Sequence, residues 1–600
     1  MKKLSVLCLL ALVALSSAKL VVRQDDHHHD ELDWWESGVF YQIYPRSFKD
    51  SNNDGIGDIG GIMEKLDHLV DLGVTGVWFS PLFKSPMKDF GYDISDFKDV
   101  DPLFGTLDDL KELFVKAKEL GIKVILDFVP NHTSDEHEWF KKAVADDPDY
   151  VDYYVWRDGK VDGSPPNNWQ SVFHTDAWTK LDGKSKYYLH QFDAGQPDLN
   201  YENPKVKEEM DDMLNFWFEL GVDGFRIDAI NHAYEDQEFL DEPIIDANKG
   251  LFYENMDHIY TTNQNKSYDL IYDMRLLFDE WSEKSGETKL MMTEAYADLD
   301  QTMLWYGNGS RNGSHFPFNF AMINKLSESS NAADFKTVID EWLDNMPAGA
   351  NANWVLGNHD RPRIASRYGS DRAASFAILE MTLPGIAVIY YGEEIGMEDY
   401  RDISFEDTQD PQAANTNEEI YQLYTRDPVR TPFQWDATAF AGFTSNLAEK
   451  TWLPVHPNYE ELNLAAQKED PKSLYKLYQN LIQLRKKHTF VHGSFASKAL
   501  VNNVFAYTRK LADHTSYAVV VNMNSMEAQL NFKNLEDQAT SLKVVLSTPN
   551  SKYEVDQEVT NIESLTFDRY DAVVFEIVSG SAAITGSLTL LLVSVLRFLF

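Results

Sequence analysis

One cysteine in 600 residues, Cys8, is the first scarcity of this chain. It falls in a stretch that reads as a removable leader, which excludes a disulfide in the mature protein. A long chain buries enough surface to do without such staples, whereas small secreted domains need them. Basic residues are the second scarcity: Lys and Arg number 54 against 96 Asp and Glu, a formal net charge of −42. Such a surface repels polyphosphate and anionic lipid, so no nucleic acid is expected as a partner. Long hydrophobic runs are the third. Leu4 to Leu15 and Leu588 to Phe600 both fall short of the about 20 apolar residues of a membrane span, and the second carries Arg597.

Those two runs still carry information. Met1-Lys2-Lys3, the first run and Ser16-Ser17-Ala18 match a signal peptide over residues 1–18. At the other end, small residues at Ser579, Gly580 and Ser581, a short polar stretch and the apolar tail match a glycosylphosphatidylinositol attachment signal, with residues 580–600 removed. Without both ends the charge is −45, because they hold Lys2, Lys3 and Arg597 and no acid. The expected location is the outer face of the plasma membrane, reached through a lipid anchor. His27-His28-His29 reads as a flexible surface segment rather than a metal site.

Between the ends, short β-branched runs alternate with stretches of helical period, the βα rhythm of a parallel sheet. Eight runs are counted: 39–45, 74–80, 123–130, 224–230, 290–296, 316–320, 353–360 and 386–392. They predict an α/β chain folded as a (β/α)₈ barrel over 34–131 and 200–490. Helical partners are expected over 62–72, 107–120 and 206–220. The connection between the third and fourth runs, about 90 residues, is too long for a loop and predicts an inserted subdomain over 132–199. A second polar insertion runs from Asp399 to Leu453. From Ser494 the period changes to two, which predicts a C-terminal antiparallel β-sandwich domain over 494–578.

In such a barrel the chemistry sits where strands end at the C-terminal face. Side chains alternate along a strand, so Arg226 and Asp228 of GFRIDAINH (224–232) point the same way. The guanidinium keeps its neighbour ionised, as a nucleophile must be. Glu294 ends the fifth run, Asn358-His359-Asp360 the seventh, and Asn131-His132 follows the third. Three carboxylates so gathered cannot all ionise easily, which assigns the raised proton to Glu294 and leaves Asp228 charged. Two such carboxyls are the equipment of a glycoside hydrolase, and aromatic residues at 13% suit the faces of sugars.

The strings DFVPNH (127–132), QPDLN (196–200), GFRIDAINH, TEAY (293–296) and GNHD (357–360) resemble, in order, the conserved regions of the α-amylase superfamily. RTPFQW (430–435) narrows the likeness to its α-glucosidase branch, and the two processed ends resemble the membrane-anchored maltases of insect midgut. The resemblance implies Asp228 as nucleophile, Glu294 as general acid and base, and Asp360 as the stabiliser that grips sugar hydroxyls. It places Tyr92, Asp93, His132, Arg226, His359 and Arg430 around the nonreducing glucose, with simple packing as the other reading of Tyr92. A retaining reaction would set the two carboxyls about 5 to 5.5 Å apart. Asn231 stands where many endo-acting amylases have lysine, and Ala229 where α-1,6-specific relatives carry valine; both favour exo-cleavage of α-1,4-glucosides over oligo-1,6-glucosidase specificity. Some such relatives also dock a bacterial toxin, so a receptor role is implied by likeness alone.

Asp50, Asn52, Asp54, Ile56 and Asp58 alternate oxygen donors around glycines, as calcium requires. Relatives hold a structural Ca²⁺ here, with Ile56 giving its carbonyl; an Asx-rich turn uses the same residues. No organic cofactor is expected. Asn265, Asn308 and Asn312 open glycosylation sequons, and Asn131 opens one expected to stay bare beside His132. The rival from another class is a glycosidase-like binding protein or transporter subunit on the same fold, since fold does not settle function.

Overall fold

Residues 32–579 are described by the structure, a computed structural model; the leader, the His27–His29 run and the tail over 580–600 lie outside them. The barrel strands are β1 (Val39–Ile43), β2 (Gly76–Phe79), β3 (Lys123–Phe128), β4 (Gly224–Ile227), β5 (Leu290–Thr293), β6 (Phe316–Pro317), β7 (Asn353–Val355) and β8 (Ile386–Tyr390). They lie in the order β6-β5-β4-β3-β2-β1-β8-β7, every pairing parallel. β1, β2, β4, β5 and β8 are buried along their whole length, the consequence of apolar runs covered on both faces.

All eight strands are shorter than the runs the sequence predicts, β6 and β7 most in proportion to their length. β6 stops at Pro317 and β7 at Val355, where runs to 320 and 360 were expected. Proline has no N–H to continue a ladder. At this seam a side chain takes over: the Asn353 amide oxygen accepts from the Asn319 N–H at 2.8 Å and its nitrogen donates to the Pro317 carbonyl at 2.7 Å. GNHD therefore sits on a loop, free to turn its side chains toward the barrel mouth.

The covering helices follow their caps. Leu107–Glu119 starts at Thr106 in a capping box with Asp109 and buries Leu110, Leu113, Phe114 and Ala117. Pro204–Glu219 starts at Asn203 with proline in its first turn and ends before Gly221, whose φ of 101° is the left-handed stop. The helix expected over 62–72 is two, Ile59–Glu64 and Leu66–Leu72, parted at Lys65.

Within 132–199 lies a three-stranded antiparallel sheet of Trp156–Asp158, Lys186–Leu189 and Trp178–Lys180, with a small core around Trp169, Trp178 and Leu189. The C-terminal strands are β9 (Ser494–Leu500), β10 (Val504–Lys510), β11 (Tyr517–Asn522), β12 (Ala528–Leu530), β13 (Ala539–Ser547), β14 (Glu558–Val559), β15 (Leu565–Phe567) and β16 (Ala572–Ser579). Six form an antiparallel sheet in the order β9-β10-β11-β16-β13-β14, and β12 pairs with β15. A core of Val520, Leu530, Phe532, Phe567 and Phe575 draws on both sheets. Ser579 ends β16 opposite Ala539, while Gly580 and Ser581 lie outside the described residues. Among the described residues no helix is long and apolar enough to cross a membrane.

Candidate active site

The C-terminal ends of β3, β4 and β5 and the loop after β7 open into one cavity of about 430 Å³. Asp228, Glu294 and Asp360 line it, with Tyr92, His132 and His359. Below them, Arg226 is buried and binds three acids. One of its terminal nitrogens, Nη1, reaches Asp127 Oδ1 at 2.9 Å and also contacts Asp228 Oδ1; Nη2 stands 3.6 Å from Glu294 Oε2. The same-side placement read from the strand is therefore present.

Immediately after Asp228 the chain turns sharply. Ala229 has φ 44° and ψ 33°, a left-handed conformation unusual for a residue with a Cβ, and its N–H donates to Glu294 Oε2 at 2.8 Å. Backbone held in this way clusters at functional sites. Here it ties the neighbour of one carboxylate to the other carboxyl.

Burial pushes Glu294 up to about 7, with Asp228 and Asp360 adding to the rise against Arg226 and the Ala229 amide. Burial also raises Asp228, opposed by the guanidinium in contact with it. Only Asp228 of the two touches Nη1, so it is the more readily ionised. Asp360, the most open of the three at 24% side-chain exposure, differs. Burial raises it, but His359 and the guanidiniums of Arg426, Arg430 and Arg226 outweigh that and hold it well below the usual carboxylate range. Burial lowers His132 to about 4 and His359 to about 3, so both rings are neutral near pH 7.

Three of the residues expected around the glucose do not line the cavity: Arg226 lies beneath the carboxylates, and two others stand behind the wall. Asp93 is fully buried and does not line the cavity: it accepts from Ser85 Oγ at 2.9 Å, the Lys88 N–H at 2.9 Å and the Asp89 N–H at 3.0 Å, so it braces its own loop. Arg430, also fully buried, lies behind the wall, donating to the His359 carbonyl at 2.8 Å and to Asp360 Oδ1 at 2.9 Å. The cavity wall is made by the residues four places earlier in each string, Asp89 and Arg426. Their ion pair spans 2.9 Å, and Arg426 Nη1 also reaches Asp360 Oδ1 at 3.2 Å. Asp410 holds the other edge of Arg426 at 2.6 Å. The missed signal was in view: each string offers two like charges four residues apart, and spacing alone does not say which one faces inward.

Tyr92 serves both readings offered for it. It lines the cavity, stacks on His359 with ring centroids 5.4 Å apart, and donates from its hydroxyl to Asp127 Oδ2 at 3.1 Å. The inserted segment adds Phe173 and Phe192, and the connection after β4 adds Tyr253, His258 and Thr262. None of these was legible from a motif.

The Asp50–Asp58 loop lies apart from this cavity. Asp50 accepts the amides of Asn52, Asn53 and Gly55; Asp58 accepts those of Ser51 and Gly61; Asn52 and Asp54 each accept one amide two residues on. The bonds to the amide two residues on, at Asp50, Asn52 and Asp54, are Asx turns, and the Asp58–Gly61 bond is a helix N-cap. Among the described residues no three His, Cys, Asp or Glu side chains are grouped to hold a metal ion. The donor types suit calcium, but the carboxylates as placed do not converge on one. Asn265, Asn308 and Asn312 are exposed and Asn131 is buried.

The alpha amylase catalytic-domain model matches residues 42–493. Maltase 1 of Drosophila virilis is 49% identical, the match covering 89% of this chain and 85% of that protein. An alpha-glucosidase of Culex pipiens is 43% identical over the full length of both. Among solved structures, the trehalulose synthase MutB from Pseudomonas mesoacidophila superposes with a TM-score of 0.80 at 33% identity, over 91% of this chain and all of that one. With the barrel, the strand-end carboxylates and these matches together, the chain belongs to the alpha-amylase family of glycoside hydrolases.

Proposed function

We propose that this protein is an exo-acting, retaining α-glucosidase that removes terminal α-1,4-linked glucose from maltose and short malto-oligosaccharides, with sucrose as a further substrate. The observation that carries it is one guanidinium in contact with Asp228 beside a second carboxyl, Glu294, raised to about 7 at the same cavity. An ionised nucleophile and a protonated acid at neutral pH are what the two-step displacement needs. Asp228 attacks the anomeric carbon while Glu294 gives its proton to the departing oxygen, leaving a glucosyl ester on Asp228. Glu294, now ionised, takes a proton from water, whose oxygen displaces the ester and restores both carboxyls. Asp360, held ionised by its arginines, and the neutral His132 and His359 grip hydroxyls of the same glucose, with Asp89 and Arg426 at its far side. The names of the relatives support the activity, and the small Ala229 supports α-1,4 over α-1,6 linkage.

Calcium in the Asp50–Asp58 loop, glycans at the three exposed asparagines, and secretion to a lipid anchor belong to the same proposal. Release from membranes by a phosphatidylinositol-specific phospholipase tests the anchor. For the chemistry, p-nitrophenyl-α-glucoside turnover by Asp228→Asn should fall at least about 10³-fold, the scale on which losing a nucleophile acts. Comparable rates for wild type and variant would sink the nucleophile assignment, and no turnover by the wild type would favour the binding-protein reading.

A further inference from the structure

Gln42 has no place in the displacement above, yet the residue is 1% exposed and its side chain lies against the ring that flanks Asp360. It comes from β1, where the strand's other side chains are apolar or aromatic. Its amide nitrogen stands 2.8 Å from His359 Nδ1 and 3.2 Å from Ser80 Oγ. On the other side of the ring, His359 Nε2 lies 2.9 Å from the Tyr92 hydroxyl and 3.4 Å from Asp360 Oδ2. The ring cannot easily turn, because it is sandwiched between Tyr92 at 5.4 Å and Tyr44 at 5.7 Å. Its backbone carbonyl is fixed as well, by Arg430 Nε.

A neutral imidazole carries one proton, and the partner at one nitrogen decides where it sits. If Gln42 donates to Nδ1, the proton is on Nε2, which points at Asp360 and the Tyr92 oxygen. The Tyr92 hydroxyl is then free to donate to Asp127 Oδ2, as its 3.1 Å contact requires. If the Gln42 amide is turned over, its carbonyl takes a proton on Nδ1 and Nε2 is bare. A lone pair then faces the Asp360 carboxylate, and Tyr92 must choose between Nε2 and Asp127. The first arrangement uses each proton once; the second leaves a buried acceptor facing an acceptor, at a cost.

We infer that Gln42 is a positioning residue which locks His359 in the Nε2–H form, so that the cavity presents a donor next to Asp360. It touches no substrate. It acts through His359, and the inference deepens the α-glucosidase reading on which its kinetic tests rest. The charged and titratable groups around the ring are Asp360, Asp127, Arg226, Arg426 and Arg430, with the phenols of Tyr44 and Tyr92; at neutral pH the acceptors that approach Nε2 are the Tyr92 oxygen and the Asp360 carboxylate.

Three measurements test this. In wild-type protein labelled with ¹⁵N at histidine, His359, assigned by loss of its signals in His359→Asn, should show a protonated Nε2 and a bare Nδ1; the reverse overturns the inference whatever the protein's activity. In Gln42→Glu a carboxylate faces Nδ1 and favours a proton there. The ring then keeps Nε2–H only as imidazolium, so activity should hold at low pH and acquire a new basic limb as the ring deprotonates. Gln42→Leu should lower kcat/KM about 10- to 100-fold, the scale found when the partner that fixes the tautomer of a metal-binding histidine is lost, whereas Ser80→Ala, which spares the Gln42–His359 contact, should stay within a few-fold. A wild-type pH profile in Gln42→Glu, or equal losses in Gln42→Leu and Ser80→Ala, would reduce Gln42 to a packing residue. Should either Gln42 variant fail to fold, the wild-type nitrogen signals decide alone.

Discussion

In the loop from Asp50 to Asp58, two buried carboxylates each receive several donors: three amides at Asp50, and two amides and the Ser51 hydroxyl at Asp58. At the strand ends, Glu294 receives one amide, and Asp228 leans on a guanidinium it shares with Asp127. Both regions are acid-rich and buried at their centres, and each carries a motif that marks a site. Their difference lies in satisfaction. A carboxylate answered by its own loop's N–H groups is stabilised where it is and does structural work, as Asp93 also shows. A carboxylate with few donors at the wall of a cavity keeps lone pairs for a ligand and has a proton affinity that its neighbours can tune.

The sharpest way to press on that difference is at Glu294. Glu294→Gln keeps the shape and removes the proton, so kcat/KM on maltose should fall about 10²- to 10⁴-fold, the span of general acid catalysis. Turnover of α-glucosyl fluoride, whose leaving group needs little protonation, should suffer less in its first step. The pH profile carries the sign. Glu294 acts as acid only while protonated, and burial lifts it to about 7, so wild-type kcat/KM should decline as pH rises through about 7. In Glu294→Gln that limb should disappear. A limb that persists unchanged would hand the proton to another group. Next in size is Arg426→Ala, which removes a donor to Asp360 and the partner of Asp89. Charged hydrogen bonds of this kind contribute about 1.5 to 3 kcal/mol, so kcat/KM should drop roughly 10- to 100-fold. Asp93→Asn should instead lower the melting midpoint and leave KM within about two-fold. If Asp93→Asn proves to be the KM variant, the assignment of the wall is wrong.

The same contrast explains what could be read from the chain. The eight barrel runs were legible because strands buried on both faces are continuous apolar stretches, and Arg226 with Asp228 because a strand has a period of two. Glu294 was legible because it directly follows such a run, and Asp360 through the GNHD string on the loop after β7. The end of β6 was not, since a proline stops the ladder there and the side chain of Asn353 bonds the chain beyond it; nor was the end of β7 at Val355, which no change of pattern marks. Asp89 and Arg426 were missed for a related reason: Asp93 and Arg430 have the same charges four residues on, and only the direction of the loop amides tells brace from wall. Phe173, Phe192, Tyr253 and His258 come from irregular connections, where no period exists to read. Gln42 was hidden by its strand, because one inward amide among apolar residues looks like core until its partner on β7's loop is known.

The smallest effect belongs to the acidic loop. Asp58 caps the helix Ile59–Glu64 through the Gly61 amide and binds Ser51 twice. Losing a cap costs about 0.5 to 2 kcal/mol, so Asp58→Ala should lower the melting midpoint by a few degrees while kcat/KM on p-nitrophenyl-α-glucoside stays within about two-fold. Asp50 Oδ2, Asn52 Oδ1, Asp54 Oδ1 and Asp58 Oδ2 each accept a single amide and keep a second lone pair, which is what a calcium ion would draw on if the side chains closed around it. An ion bound only by the folded state stabilises it by mass action, so a calcium chelator should lower the wild-type midpoint, and excess calcium should restore it. In Asp58→Ala the chelator should have little left to remove. An unmoved wild-type midpoint would make the loop an Asx turn and nothing more, which would sharpen the contrast with Glu294: carboxylates that amides fully answer would then have no ligand to wait for.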